Sequence, residues 1–252
     1  ESIHSQTLYL WPSVFDTAAY KIVFENKLFW SSVRTTVFVT VVGTFLGVIC
    51  SVAAAYPLSK KDLPGGKFFF NMMLFTMFFS GGLIPGYLVV QQVGLGDSIW
   101  CMILPVLVGQ FNIILIKNYV EDLPASIEES ARIDGANDMV ILFKIILPMS
   151  TPIIATVALF IAVDRWNEYW FAMLHIIDKA KQPLQLLLRN VLMDTTHAMT
   201  GAAAAIASQE RKVYDQSLQM AIVTIATVPI LLIYPFVQKY FTKGIMLGGV
   251  KG

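Results

Sequence analysis

Long apolar runs broken by short polar stretches constrain this chain more than any other feature. A helix that crosses a bilayer needs about 20 mostly apolar residues, because lipid offers no partner to an unpaired backbone amide or carbonyl. Five runs meet that requirement: 33–56, closed by Pro57; 68–83, extendable past Pro85 to residue 90; 99–116, with Pro105 inside; 152–174; and 218–237, with Pro229 and Pro235 inside. Prolines at membrane depth are tolerated where neighbouring helices or water re-satisfy the freed carbonyls. Composition agrees. The chain is 56% hydrophobic and 14% charged, against roughly 45–50% and about 25% in a soluble domain. A net charge of +1 recruits no polyanion, so nucleic acid is not an expected partner. Cys50 and Cys101 both sit in apolar stretches and supply neither a disulfide framework nor a metal-ligand set. The expected fold class is all-α: a polytopic transmembrane helix bundle with five spans.

Lysine and arginine near span ends set orientation. Lys60, Lys61 and Lys67 follow the first span, Lys117, Arg132 and Lys144 follow the third, and Lys239, Lys243 and Lys251 follow the fifth. The opposing loop 84–98 has neither residue type. These nine cations mark the cytoplasmic side, against the long loop 175–217, which also carries Lys and Arg. Residues 1–32 then form an outer N-terminal segment, with a short surface helix over 17–30, and 33–252 form the transmembrane domain. An external N-terminus without a signal segment fits a sixth, first span preceding Glu1. Gly81, Gly82, Gly86, Gly94 and Gly96 make the second outer connection irregular and partly re-entrant.

The stretch 121–150 is too polar to span yet strongly patterned. Ser126 and Glu129 have capping-box spacing, which predicts a helix from Ser126. Gly135 can end it in a left-handed conformation. Asn137 can cap a second helix with Met139, Val140, Leu142, Phe143 and Ile146 on its apolar face, stopped by Pro148. Such a helix–turn–helix is either a solvated loop or a docking element for a cytoplasmic partner, and the pattern alone leaves both open.

The spacing carries more. Glu129-Ser130-Ala131, three residues, Gly135, nine residues, then Ile145-x-Leu147-Pro148 resembles the cytoplasmic coupling signature of permease subunits in binding-protein-dependent ABC importers. Ser130 in place of the first alanine is the one departure. The stretches 53–68, 78–98, 166–176 and 235–252 resemble the carbohydrate-type permeases of the maltose-permease superfamily, in the branch for complex and acidic oligosaccharides. The resemblance implies a type I importer permease fold with six spans. It implies a homologous second permease subunit, two cytoplasmic ATPase subunits and an extracytoplasmic solute-binding protein that delivers an oligosaccharide. Coupling would fall to Glu129, Ser130, Ala131, Arg132, Asp134, Gly135, Ile145, Leu147 and Pro148.

No phosphate-binding loop of the G-x-x-x-x-G-K-[ST] type is present. ATP and Mg therefore belong to the ATPase partner, and the chain is expected to be a non-catalytic transport subunit of the bacterial inner membrane. No metal site is expected: His4, His175 and His197 are scattered and read as outer-surface residues. Polar groups at membrane depth are the substrate-path candidates: Gln110 and Asn112 in the third span, and Asp164, Trp166, Asn167 and Glu168 toward the outer end of the fourth. Packing and interfacial anchoring compete with that role at each. A stand-alone secondary sugar transporter is the alternative function; it predicts internal repeats, and none is visible. A membrane-embedded enzyme would need a catalytic pair inside the spans, and none is spaced for it.

Overall fold

The computed structural model describes residues 17–198, 220–229 and 231, and every regular element among them is helical. A short helix, α1 (Ala18–Glu25), leads into α2 (Lys27–Leu58), a continuous helix of 32 residues. At ~1.5 Å per residue α2 is roughly 48 Å long, more than the ~30 Å hydrocarbon core. The predicted first span lies inside it. The surface helix predicted over 17–30 does not extend that far, because Asn26 intervenes. Its side chain accepts the Leu28 amide at 2.8 Å, which caps a new helix at Lys27. Pro57 does not close the helix but sits in its last turn, where Ser59 N–H still reaches the Ala55 carbonyl at 3.0 Å.

The next three predicted spans are broken helices. Helices α3 (Gly66–Phe78) and α4 (Leu83–Gln92) meet at 114°. Gly82 takes a φ of +92° at the joint, so residues 68–90 are a sharply bent pair and not one rod. The third span opens as tight 3₁₀ turns over Ile99–Val106 and turns by 46° into α5 (Gln110–Glu121). Pro105 contributes no amide to the ladder there. Beyond it come α6 (Ala125–Ile133) and α7 (Asp138–Met149), the latter bent by 79° from α8 (Thr151–Trp166). The fourth span ends at Trp166 and not near 174. Glu168 then accepts the Phe171 amide at 2.8 Å and restarts the chain as α9 (Trp170–His175), followed by α10 (Leu184–Ala198). By length and composition the described residues hold one helix able to cross a membrane, or up to four if each bent pair is one span. Of the predicted fifth span, α11 (Met220–Pro229) and residue 231 are described; the rest lies outside the described residues.

Helix α2 is the mast of the bundle. It packs on α8 where Gly43 and Gly47 remove side chains from the interface. A methyl at Gly43 would stand 3.1 Å from Arg165 Cγ and Cδ, and one at Gly47 would stand 3.2 Å from Ile161 Cδ1. One apolar core joins Ala55 and Tyr56 of α2 with Ile113 and Ile116 of α5, Ile141 of α7 and Val157 of α8. A second, at the other end, gathers Val39, Val90, Met102, Ile103, Ala172 and Leu186. A third seats Val23 and Phe29 against Leu184, Ile222 and Ala226. Helix α3 has no buried residue and exposes Phe68, Met72, Phe75 and Phe78. That apolar face suits lipid or another subunit.

Candidate functional site

The loop 121–150 folds as the helix–turn–helix that its sequence predicts, with corrections that decide which residues face outward. Helix α6 starts at Ala125 after Pro124, and the Ser126 hydroxyl makes no capping bond. The proline's fixed φ opens the helix one residue early, so Ser126 lies inside the first turn and the predicted capping box does not form. Glu129 is consequently exposed and has no side-chain partner among the described residues. Gly135 does end α6, at φ +83°. Gly135 N–H donates to the Arg132 carbonyl and Ala136 N–H to the Ala131 carbonyl, both at 3.0 Å. This paired closure is a Schellman motif. Nothing lies within 4 Å of a methyl built at Gly135, so the backbone angle, not crowding, calls for glycine there.

Asn137 caps α7 as predicted, its side chain accepting the Val140 amide at 2.9 Å. The buried face of α7 is Ile141, Leu142 and Ile146, while Met139 and Phe143 are 63% and 62% exposed. Residues two apart lie about 200° around a helix, so burial of Ile141 turns both Met139 and Phe143 outward. The predicted five-residue apolar face is thus split. Residues Leu142–Ile146 form a π turn, with Leu147 N–H donating to the Leu142 carbonyl. Pro148 does not stop the helix; the bend comes two residues later, at Ser150.

The signature residues divide by environment. Glu129, Ser130, Asp134, Gly135 and Pro148 are exposed, and Ile133 beside them is 86% exposed. Ala131 and Leu147 pack against the core, and Ile145 is half-buried. Arg132 is exposed too but is engaged within the loop: Nη2 donates to Glu128 Oε1 at 3.1 Å and to Asp138 Oδ1 at 2.6 Å. Glu128 also takes a hydrogen bond from Lys60, just beyond the end of α2. Burial raises the Glu128 carboxyl pKa, but hydrogen bonds and charge from Lys60 and Arg132 outweigh it, and the net shift is downward. Tyr56 Oη donates to the Asp138 carbonyl at 3.3 Å, and Lys60 Nζ lies 4.3 Å above the Tyr56 ring. Sequence reasoning gave Glu128 and Asp138 no role and Lys60 only a topological one. The available signal was the Glu128–Arg132 spacing of four on a helix.

The polar path candidates do not converge on one point. Gln110 Nε2 donates to Thr76 Oγ1 at 3.5 Å. Asn112 lies in the first turn of α5, over Gly109 at the break in the third span. Asp164 is exposed, and Asn167 is exposed with Nδ2 on the Val163 carbonyl at 2.9 Å. Trp166 Nε1 donates to the Ala226 carbonyl at 3.2 Å, tying α8 to α11. Glu168 is buried, capping α9 and lying 3.9 Å from Arg165. Trp166 and Glu168 are therefore engaged within the chain, and Asn167 also accepts Gln185 Nε2 on its Oδ1 at 3.4 Å, while Asp164 and Asn112 make no side-chain hydrogen bond among the described residues.

At the opposite end of the bundle Asp97 forms a clamp. Its Oδ1 accepts the amides of Ile177 and Asp178, both at 3.0 Å, and its Oδ2 takes Lys181 Nζ at 2.9 Å. The Asp178 amide bond first, and then Lys181, hold the Asp97 carboxyl well below its usual range, at about 2. His175, expected as a surface residue, is buried and stacks on Tyr87 with ring centroids 4.9 Å apart. His4 and the side chain of His197 lie outside the described residues. Among the described residues no group of His, Cys, Asp and Glu could hold a metal.

Broken spans around one long mast, with a capped helix–turn–helix at one end, define a membrane permease. Residues 47–176 match the family described as "Binding-protein-dependent transport system inner membrane component". The chain belongs to that family and is a non-catalytic permease subunit of an ABC importer. It is 44% identical over its whole length to the polygalacturonan/rhamnogalacturonan transport system permease protein YtcP of Bacillus subtilis (strain 168), covering 87% of that protein. It is 43% identical to protein LplC of the same organism, over 98% of this chain and 83% of LplC. It also superimposes, with a TM-score of 0.84 and 35% identity, on a chain from the crystal structure of a bacterial ABC transporter involved in the import of the acidic polysaccharide alginate. That match covers 95% of this chain and 84% of the other. The type I importer fold and the membrane location follow. A permease of this class works with a partner permease, an ATPase and a solute-binding protein, which sets aside the stand-alone secondary transporter.

Proposed function

We propose that this subunit admits an acidic oligosaccharide, handed over by an extracytoplasmic solute-binding protein, by alternating access driven by two cytoplasmic ATPase subunits. The relatives named for pectic polymers and alginate support the substrate class. A homologous second permease completes the path, and ATP and Mg bind the ATPases. Residues 1–32 lie outside, 33–252 form the transmembrane domain of five spans in this chain, and the loop 121–150 and the tail are cytoplasmic.

The observation that carries the coupling role is the outward set on α6 and α7. Glu129 and Asp134 have no side-chain partner among the described residues, beside the uncovered Ile133, Met139 and Phe143. An apolar patch rimmed by free carboxylates at the end of a capped helix suits a groove in a partner. Ser130 is small enough to let that groove approach. Ala131, Ile145, Leu147 and Pro148 join the loop to the bundle, and Gly135 sets the turn between its helices. Glu129→Ala removes no side-chain hydrogen bond or ion pair among the described residues, so it should leave the folded subunit intact and lower transport. Uptake by the assembled complex, with membrane levels measured, tests it; full uptake would discard the docking role.

For the substrate path, Asn112 at the break in the predicted third span and Asp164 at the end of α8 are the residues with open polar atoms, and Asn167 beside them is exposed with its amide held by Val163 and Gln185. Gln110, Trp166 and Glu168 act by positioning their helices. Asn112→Ala and Asn167→Ala should lower uptake without loss of the ATPase from the complex. Normal uptake in both variants would return these residues to a packing role.

A further inference from the structure

We infer that Lys60, Glu128, Arg132 and Asp138 form a charge latch that makes α6 move with the inner end of α2. The inference rests on the loop 121–150 being the coupling loop, and it names a route by which movement there enters the bundle. Helix α6 contains no buried residue. Hydrophobic packing therefore does little to fix its orientation, apart from the contact of Ala131 with the core. The Schellman turn at Gly135 joins it to α7, which is anchored by Ile141, Leu142 and Ile146. What ties α6 to a second element is Glu128. Its carboxylate takes Lys60 from beyond α2 and Arg132 from its own helix, and Arg132 passes the link to Asp138 at the start of α7.

Three elements thus meet through one half-buried acid. Lys60 and Glu128 are 23% and 22% exposed, which limits screening by solvent. Tyr56 supports the junction from below, with its ring under Lys60 and its hydroxyl on the Asp138 carbonyl. The two carboxylates of the helix divide the work. Glu129 is left for a partner, while Glu128 is spent inside the chain. A push on α6 is then delivered to α2, which packs on both α5 and α8. Glu128 and Lys60 are positioning residues: they contact neither substrate nor, through these atoms, the ATPase.

The test needs no transport substrate. In the complete importer, with Cys50 and Cys101 replaced by alanine, spin labels are placed at Asp62→Cys and at Ser126→Cys, both exposed positions outside the proposed docking surface. Their distance distribution is measured by double electron–electron resonance, before and after trapping with ATP and vanadate. The latch predicts a narrow distribution that does not shift on trapping. Lys60→Met should broaden or shift it in the trapped state, and Lys60→Arg should restore it. Glu128→Gln should behave as Lys60→Met, and the double variant no worse than either. A shift in the unsubstituted complex, or a Lys60→Met complex indistinguishable from it, overturns the latch. Loss of the ATPase from the Lys60→Met complex also overturns it, since Lys60 would then be part of the docking surface. Gly135→Pro is run alongside: a complex that keeps its ATPase and trapped-state distances there removes the coupling role of the loop, and the latch with it.

Discussion

The two polar junctions of the bundle are built from different materials. At the Asp97 end one carboxylate binds two backbone amides as well as Lys181, and Asp97 N–H donates to the His175 carbonyl at 2.9 Å. Backbone is fastened to backbone, with little rotamer freedom between. At the Glu128 end the contacts run from side chain to side chain, through lysine, glutamate and arginine. Such a junction holds whole side chains of three elements together, so that on the reading proposed above α6 and α2 move as one. The difference separates an end that fixes a loop from an end that is proposed to carry motion.

The largest expected effect lies at the moving end. Proline is locked near φ −65° and Gly135 needs +83°, so Gly135→Pro should abolish coupling, read as ATP hydrolysis without uptake. Gly135→Asn should retain much of it, since asparagine tolerates the left-handed region. Gly135→Ala falls between, at a cost of about 1–2 kcal/mol. If alanine and proline behave alike, the turn is not what matters.

At the fixed end, Asp97→Ala should lower the melting temperature of the purified complex, because three donors lose one acceptor, while hydrolysis and uptake below that temperature stay coupled. A coupling defect in Asp97→Ala would erase the contrast between the two ends. The smallest effect is a pH dependence. Asp97 has a folded pKa depressed to about 2 from 3.8, so its stabilisation is complete above the ordinary carboxylate value and is lost as pH falls toward 2. Thermal scans from pH 5 to pH 3 should show a steeper decline in the native chain than in Asp97→Asn.

Much of the moving end was legible in the sequence. The Gly135 turn and the Asn137 cap are local, set by a residue's own backbone preference or by a side chain reaching three residues on. The interval from Glu129 to Pro148 also fixed which loop to examine. The capping box failed because Pro124 competes for the same start. The latch and the Asp97 clamp were not legible, since both close across more than 60 residues and no local pattern announces Lys60 or Lys181 as a partner. The apolar runs showed where apolar helices lie, but not that three of the predicted spans are bent pairs. The break at Gly82 lies in exposed chain and comes from a positive φ that glycine permits but does not announce.

The π turn at Leu142–Ile146 makes the nine-residue interval between Gly135 and Ile145 a matter of phase. An i→i+5 turn carries one more residue than a regular helical turn. Each residue of an α-helix advances it by about 100°. Deleting Lys144, an exposed residue in that turn, would let the helix close regularly. Were the π turn kept, the same deletion would instead rotate the incoming segment by about a quarter-turn relative to α8. The count of residues then sets which way the proposed docking face points, and a chain with the same residues one step out of register would present Leu142 where Phe143 now stands.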